Sequence, residues 1–395
     1  MKSVRNWGRL GMKFNTMIME DALDALIDYR GKTPKKSKTG IMTLSAKSVK
    51  NNHIDYSQCY FISEEEYEKF MVRGFPKKGD ILLTTEAPLG LVARLDRNDV
   101  AIAQRLLTLR GKENVLDNDY LLYYLQSPIG QASLKARETG TTVTGIKQAE
   151  FRKIEIEIPD YEVQKKVSGI LRVIDQKIEF NNAINNNLEQ QAQTIYQQML
   201  IDNVSSDWTE GILSDIADIT MGQSPSGSSY NEDGNGTIFF QGRAEFSFRF
   251  PTIRLYTTEP KRMACANDTL MSVRAPVGDL NVAHTDCCIG RGLAAIHSKN
   301  NHQSFVLYTM FSLKKQLDVF NGEGTVFGSI NRNSLNEIPI LIPSSKKLDE
   351  FEALVAPMDA AIRNNYDEIC CLEQLRNSLL PKLMSGELDV SDIDL

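Results

Sequence analysis

The sequence predicts an α+β fold: two globular domains separated by two long antiparallel, coiled-coil-like helices, related by an internal pseudo-two-fold repeat. Three observations predict it. Blocks of sequence recur at a shift near 184 to 191 residues. Two stretches of about 40 residues carry apolar side chains at steps of three and four. The segments between them are rich in Gly, Pro, Ser, Thr and β-branched residues, with short apolar runs bounded by turn residues.

The chain carries an internal duplication. Residues 140–159, GTTVTGIKQAEFRKIEIEIP, align with 324–343, GTVFGSINRNSLNEIPILIP, with seven of twenty positions identical. The shift of 184 continues through Asp175/Asp359, Ile178/Ile362, Asn181/Asn365 and Leu188-Glu189-Gln190/Leu372-Glu373-Gln374. Upstream, GDILLTTEAPLG (79–90) faces NDTLMSVRAPVG (267–278) at 188. Gly31-x-Thr33-Pro34 faces Gly222-x-Ser224-Pro225 at 191, with Asp24 facing Asp215. A unit of roughly 190 residues is written twice, and loop insertions account for the drift.

Taken in order, residues 1–17 carry four basic residues and no counterpart in the second half, which reads as a basic extension. The first globe spans 18–159. Strands are expected at Ile81–Leu83 and Leu106–Leu109, a helix at 117–126, and a half-buried strand where Ile154, Ile156 and Ile158 alternate with Glu155 and Glu157. Within 160–207 the helical stripe runs Val163, Val167, Ile170, Ile174, Ile178, Ile184, Leu188, Ala192, Ile195, Met199. Asn181 and Asn185–Asn187 interrupt it, as an exposed face or as register-setting polar seam positions. The second globe spans 208–343, with a helix at 304–318. Within 344–384 the stripe runs from Leu348 through Phe351, Val355, Met358, Ile362, Tyr366, Ile369, Leu372, Leu375 and Leu379 to Leu383. Pro357 is expected to kink or restart that helix. An acidic tail, 385–395, follows. Each helix, at about 40 residues and roughly 1.5 Å per residue, is about 60 Å long. Each must bury its stripe, and the other copy is the obvious partner.

The 395 residues carry 45 basic and 51 acidic side chains, a net charge of −6. That argues against a uniformly basic nucleic-acid coat, but the average conceals a pattern. The two helical regions and the tail hold −9, whereas residues 28–60 hold +5. Arg30, Lys32, Lys35, Lys36 and Lys38 fall on one Gly/Pro/Thr loop suited to neutralising phosphates. In the second globe Arg243, Arg274, Arg291 and Arg332 each lie in or beside a Gly, Pro, Ser or Asn segment. Arginine is the usual bidentate reader of guanine. No run of 18 apolar residues points to a membrane span, and no signal peptide is recognisable. Six cysteines without a C-x-x-C read as reduced, buried, cytosolic thiols.

Catalytic strings fail on inspection. Gly31-Lys32-Thr33 resembles the end of a P-loop, but the required upstream glycine is Leu26. Asp160, Asp175 and Lys177 have the letters of a nuclease metal motif. Asp175 and Lys177 lie inside the amphipathic helix, however, and the repeat replaces Asp160 by Ser344 and Lys177 by Ala361. A stand-alone nuclease or methyltransferase, and a coiled-coil adaptor without DNA contact, are the competing readings.

The repeated G-x-[ST]-P loops, the GD-I-L and A-P-x-G segments, the G-T…I-P run into a long helix and the closing LLPKLMSGEL (379–388) resemble the specificity subunit of a type I restriction–modification enzyme. The resemblance covers nearly the whole chain beyond residue 17. It implies that 18–159 and 208–343 are target-recognition domains, each reading half of a split double-stranded DNA site. It implies that 160–207 and 344–384 are conserved helical regions acting as a ruler and docking two methyltransferase subunits, with restriction (motor–nuclease) subunits joining. S-adenosylmethionine, ATP and magnesium would then serve those partners, this chain would need no cofactor or metal, and the complex would be cytoplasmic. Helices of about 60 Å would place readers one to two DNA turns apart, at about 34–36 Å per turn. Candidate DNA contacts are Arg30, Lys32, Thr33, Lys35, Lys36, Lys38, Arg105, Thr141, Thr142 and Lys147. In the second globe they are Gln223, Ser224, Ser226, Arg243, Arg274, Arg291, Asn331 and Arg332. One departure from the pattern is that the first globe lacks the W-x-x-x-x-L-x-D of Trp208, Leu213 and Asp215.

Overall fold

A computed structural model describes residues 12–140, 144–322 and 328–393. The chain divides into two units: residues up to Glu179 with those from Ile369 onward, and Phe180–Glu368.

In the first unit the strand Phe14–Ile18 pairs antiparallel with Glu155–Pro159, Phe14 opposite Pro159. A four-stranded antiparallel sheet follows, in the order Leu23–Asp28, Leu106–Gly111, Ile81–Thr84, Val92–Arg94. A second sheet, Lys36–Ser37, Tyr60–Ile62, Ile41–Leu44, Val100–Ile102, has its last pair parallel. The run Ile81–Thr84 is buried on both faces, and side-chain alternation explains why. Leu82 joins Leu44, Ile62 and Ile102 between the sheets. Ile81 and Leu83 face the helix Asn118–Gln126 and Val167, Leu171 and Leu383 of the long helices.

The second unit repeats this frame. Thr209–Ile212 pairs with Pro339–Ile342. The first sheet is Ala217–Met221, Leu293–Ser298, Thr269–Ser272, Leu280–Val282. The second gains a strand: Tyr230–Asn231, Leu255–Thr257, Thr237–Phe240, Cys287–Ile289, Met263–Ala264. Leu270 packs between the sheets with Phe240 and Ile289. Met271 packs against the helix Gln303–Ser312 and against Phe351, Val355 and Ile362.

Two long helices, Tyr161–Tyr196 and Ser345–Ser385, contribute a stretch to each unit. In the first unit Ile174 and Ile178 meet Ile369, with Leu372 and Leu379 packed alongside. In the second, Asn181 lies against Glu368 and Asn185 against Asn365, so the helices run antiparallel. The seam is polar here. Asn181 Nδ2 donates to Glu368 Oε2 at 2.8 Å, and Asn365 Nδ2 donates to Asn185 Oδ1 at 2.8 Å. Both Asn181 and Asn185 are buried, whereas Asn186 and Asn187 are exposed. Ile184, counted in the apolar stripe, is exposed. The true phase passes through 178, 181, 185 and 188, one turn of the pattern being filled by asparagine.

Other expectations change. Residues 12–17 do not belong to an extension: Met12 is core and Phe14 begins the edge pair, while 1–11 lie outside the described residues. The first globe does have a counterpart of Trp208–Asp215. Met19 and Leu213, each fully buried at the start of a four-residue helix, are equivalent, so Asp21 rather than Asp24 matches Asp215. The C-terminal helix runs through Pro357 without restarting. Pro357 and Ala353, whose carbonyl loses its donor, are both exposed, so water can satisfy that oxygen, while Phe351, Val355 and Ile362 hold the buried face. The tail folds back on the first unit. Gly386 ends the helix at φ +76° and lies against Phe14, and Val390 is fully buried. Only Cys287 and Cys288 of the six free cysteines are buried, and burial pushes Cys287 up to about 12.

Candidate nucleic-acid interface

Each globe ends the strand Ile81–Thr84 or Thr269–Ser272 in the same turn. Thr84 Oγ1 donates to Pro88 O at 2.7 Å, and Gly90 N to Thr84 O at 3.0 Å. Ser272 Oγ donates to Pro276 O at 2.7 Å, and Gly278 N to Ser272 O at 2.9 Å. Both turns carry a cis peptide, Ala87–Pro88 and Ala275–Pro276. A second loop is sewn onto each turn alike: Ile146 N donates to Thr85 O at 2.9 Å, Ile330 N to Val273 O at 3.1 Å. Glu86 bridges Gly145, and Arg274 bridges Ser329. A Cβ on Gly145 would lie 2.5 Å from Thr85 O and 2.9 Å from Glu86 Cβ, so only glycine permits that approach.

In the first globe the turn gathers charge. Arg105 Nε lies 2.7 Å from Glu86 Oε1, and Arg30 Nη2 lies 3.7 Å from Glu86 Oε2. Lys147 is exposed just beyond, opening the helix Gln148–Arg152. The basic loop splits after Arg30. Lys32 and Thr33 are exposed, and Pro34 is buried. Lys35 N donates to Glu66 Oε1 at 2.9 Å, and Lys36 Nζ stands 4.7 Å over the Tyr60 ring. Lys35, Lys36 and Lys38 thus line the second sheet, apart from the Glu86 cluster. Thr141 and Thr142 lie outside the described residues.

In the second globe Ser224 Oγ accepts from Arg291 N at 3.3 Å, which joins the Ser-Pro loop to the Arg291 turn. Gln223 and Ser226 are exposed, and Ser226 and Ser228 share a hydrogen bond at 2.8 Å. The two G-x-[ST]-P loops match at their prolines, both buried, but not at their glycines. Gly31 has φ +76° and open space around it, whereas a Cβ on Gly222 would meet Gly290 O at 2.1 Å. Arg243 pairs with Asp279, which follows the turn. Asn331 caps the helix Arg332–Asn336, its Oδ1 accepting from Ser334 N at 2.9 Å, so that oxygen is engaged within the fold. Arg332 and Arg274 are exposed. Glu86 and Asp279 do not stand out in the sequence as site residues. The signal for Glu86 is its place in the Thr85–Gly90 turn, which the repeat aligns with Arg274; no such signal marks Asp279.

The nuclease-like string comes apart. Asp175 is buried, with one oxygen accepting from Tyr123 Oη at 2.7 Å and the other from Arg376 Nη1 at 2.8 Å. Asp160 accepts from Asn15 Nδ2 at 3.3 Å. Among the described residues no group of three His, Cys, Asp or Glu is placed to hold a metal, and no helix is long and apolar enough to cross a membrane.

Two copies of one frame, alike in backbone and different in the side chains they present, define a duplicated recognition module. The family model described as the type I restriction modification DNA specificity domain matches residues 25–190 and again 205–353, and the chain belongs to that family. It is accordingly a non-catalytic specificity subunit. It is similar to the putative type I restriction enzyme MjaX specificity subunit of Methanocaldococcus jannaschii, 28% identical over 94% of this chain and 93% of that one. The MjaIX specificity subunit of the same organism is 26% identical over 84% and 82%. The solved type I restriction–modification S subunit of M. genitalium shares the fold, with a TM-score of 0.63 at 17% identity over 95% of this chain and 98% of that one.

Proposed function

We propose that the two globes, 18–159 and 208–343, read the two halves of an asymmetric, split double-stranded DNA site. The regions 160–207 and 344–384 act as spacer and dock two adenine-N6 methyltransferase subunits, to which restriction subunits add. The helices have 36 and 41 residues. At roughly 1.5 Å per residue they are about 54 and 62 Å long, enough for a spacer between half-sites. Methylation, translocation and cleavage, with S-adenosylmethionine, ATP and magnesium, fall to the partners in the cytoplasm. The observation that carries this reading is the repeated turn, with unlike residues at equivalent places: Glu86 and Gly145 in one globe, Arg274 and Ser329 in the other. Equal frames with unequal tips suit an asymmetric target. Arg30, Lys32, Thr33, Lys35, Lys36, Lys38, Arg105, Thr141, Thr142, Lys147, Gln223, Ser224, Ser226, Arg243, Arg274, Arg291, Asn331 and Arg332 are the proposed contacts.

Methylome sequencing of a host with and without this gene tests the proposal. A split adenine-methylated motif should vanish with the gene, and an unchanged methylome rejects it. The purified chain alone should leave DNA uncut with magnesium present. Cleavage would revive the nuclease reading.

A further inference from the structure

We infer that the specificity-determining guanine reader is Arg105 in the first globe, with Glu86 as its positioning residue, and Arg274 in the second, where it occupies Glu86's own place. The inference rests on the proposed DNA-reading function and names which side chains perform it.

Strand pairing sets the equivalence. Thr84 pairs with Leu106 and Ser272 with Leu293, so Glu86 matches Arg274 and Arg105 matches Gly292. The backbone agrees: Thr85 N donates to Arg105 O at 3.1 Å, and Val273 N to Gly292 O at 2.9 Å. At these two equivalent positions each globe carries one arginine, Arg105 on one side of the corner and Arg274 on the other, and in the first globe Arg30 also approaches Glu86. In the first, Glu86 engages Arg105 through Nε at 2.7 Å. The terminal Nη edge stays available for the O6 and N7 acceptors of guanine, a bidentate match for a planar guanidinium. A carboxylate on Nε removes rotamer freedom before DNA arrives, so binding costs less conformational entropy. Arg105 is 53% exposed in its side chain while Glu86 is 21% exposed, as suits a reader and the group behind it. Arg105 also holds φ +69°, a region uncommon for a residue with a Cβ and found enriched at functional sites. Arg274 is exposed and, among the described residues, has no ion pair or side-chain hydrogen bond. Its reading therefore comes without a buttress, and with looser discrimination.

The test uses the complex with its methyltransferase subunits and maps the modified motif. If the unaltered complex yields no split motif, the underlying function fails, separately from this inference. Given a split motif, Arg105→Gly, which suits the left-handed backbone, should relax one guanine in one half-site by about 10- to 100-fold. Arg274→Ala should relax a guanine in the other half-site. Arg105→Lys and Arg274→Lys keep the charge but lose the fork, and should relax the same positions. Glu86→Ala should relax the Arg105 position while non-specific DNA binding tightens, because a negative charge leaves the interface. A merely structural Glu86 would weaken all binding alike. An unchanged motif in Arg105→Gly or Arg274→Ala, both changes falling in one half-site, a half-site without guanine, or a uniform loss in Glu86→Ala overturns the inference.

Discussion

The two units fasten globe to helix with one repeated pair and one that is not repeated. Tyr123 Oη donates to Asp175 at 2.7 Å in the first unit, and Tyr308 Oη donates to Asp359 at 2.9 Å in the second. Burial raises both phenols well above their ordinary range, so each remains a donor. The compensating arginine differs. Arg376 of the C-terminal helix serves Asp175 and is 21% exposed, whereas Arg249 of the second globe serves Asp359 and Glu189 and is 3% exposed. A buried carboxylate needs donors and a cation, but the cation can arrive from any element within reach. Duplication therefore preserves the frame while the charges around it are replaced.

The largest expected effect breaks the second unit. Arg249→Met leaves Asp359 and Glu189 facing one another without a cation and should cost about 3–5 kcal/mol, read as a drop in hydrogen-exchange protection of 303–312. Arg376→Met should cost less, about 1–3 kcal/mol, because water reaches Arg376 and it serves one carboxylate where Arg249 serves two. Equal losses would show that the two fastenings are alike after all.

The seam sharpens the contrast between polar and apolar stretches. Asn185→Leu strands the Asn365 amide and should cost about 1–3 kcal/mol in denaturant melts. Adding Asn365→Leu should restore most of it, since both partners are then apolar.

A smaller effect is a pH slope in the second unit. Glu352 accepts from Ser304 N at 3.0 Å and Phe305 N at 3.3 Å, yet burial raises its carboxyl above the ordinary 4.5. A raised carboxyl means the folded state binds the proton more tightly, so stability falls as pH rises from 4.5 through the raised value. Glu352→Gln should remove that fall, seen as a melting-temperature difference that grows in the variant's favour as pH rises. A parallel pair of pH profiles would contradict it.

The smallest effect on stability comes from Lys35, Lys36 and Lys38 replaced together by Ala, which should change it by less than about 0.5 kcal/mol. The same triple variant should shallow the salt dependence of DNA binding by about one unit of slope for each phosphate no longer neutralised. An unchanged slope would remove the second sheet from the interface.

Much of the frame is legible in the sequence because burial leaves a period in the letters. The alternation of Ile156 and Ile158 with Glu155 and Glu157 foretells its strand, and the stripes foretell both helices. The duplication foretells two equivalent globes. What escapes is pairing at a distance. Phe14–Ile18 is a short strand with no tell-tale period, and only Glu155–Pro159 across from it makes it one. Ile184 and Asn185 exchange the roles their polarity suggests, because the phase of a helix is decided by its partner.

The same division holds at the recognition tips. The sequence by itself determined that a T-T-E-A-P or S-V-R-A-P turn recurs, and that basic residues lie near it. Only the tertiary structure decided that Arg105 and Arg30 converge on Glu86 while Lys35, Lys36 and Lys38 turn away to another sheet. Local patterns record which face of an element is buried, a short-range property of each segment. Which charges meet depends on long-range strand register, and register is set by the packed core rather than by any one segment.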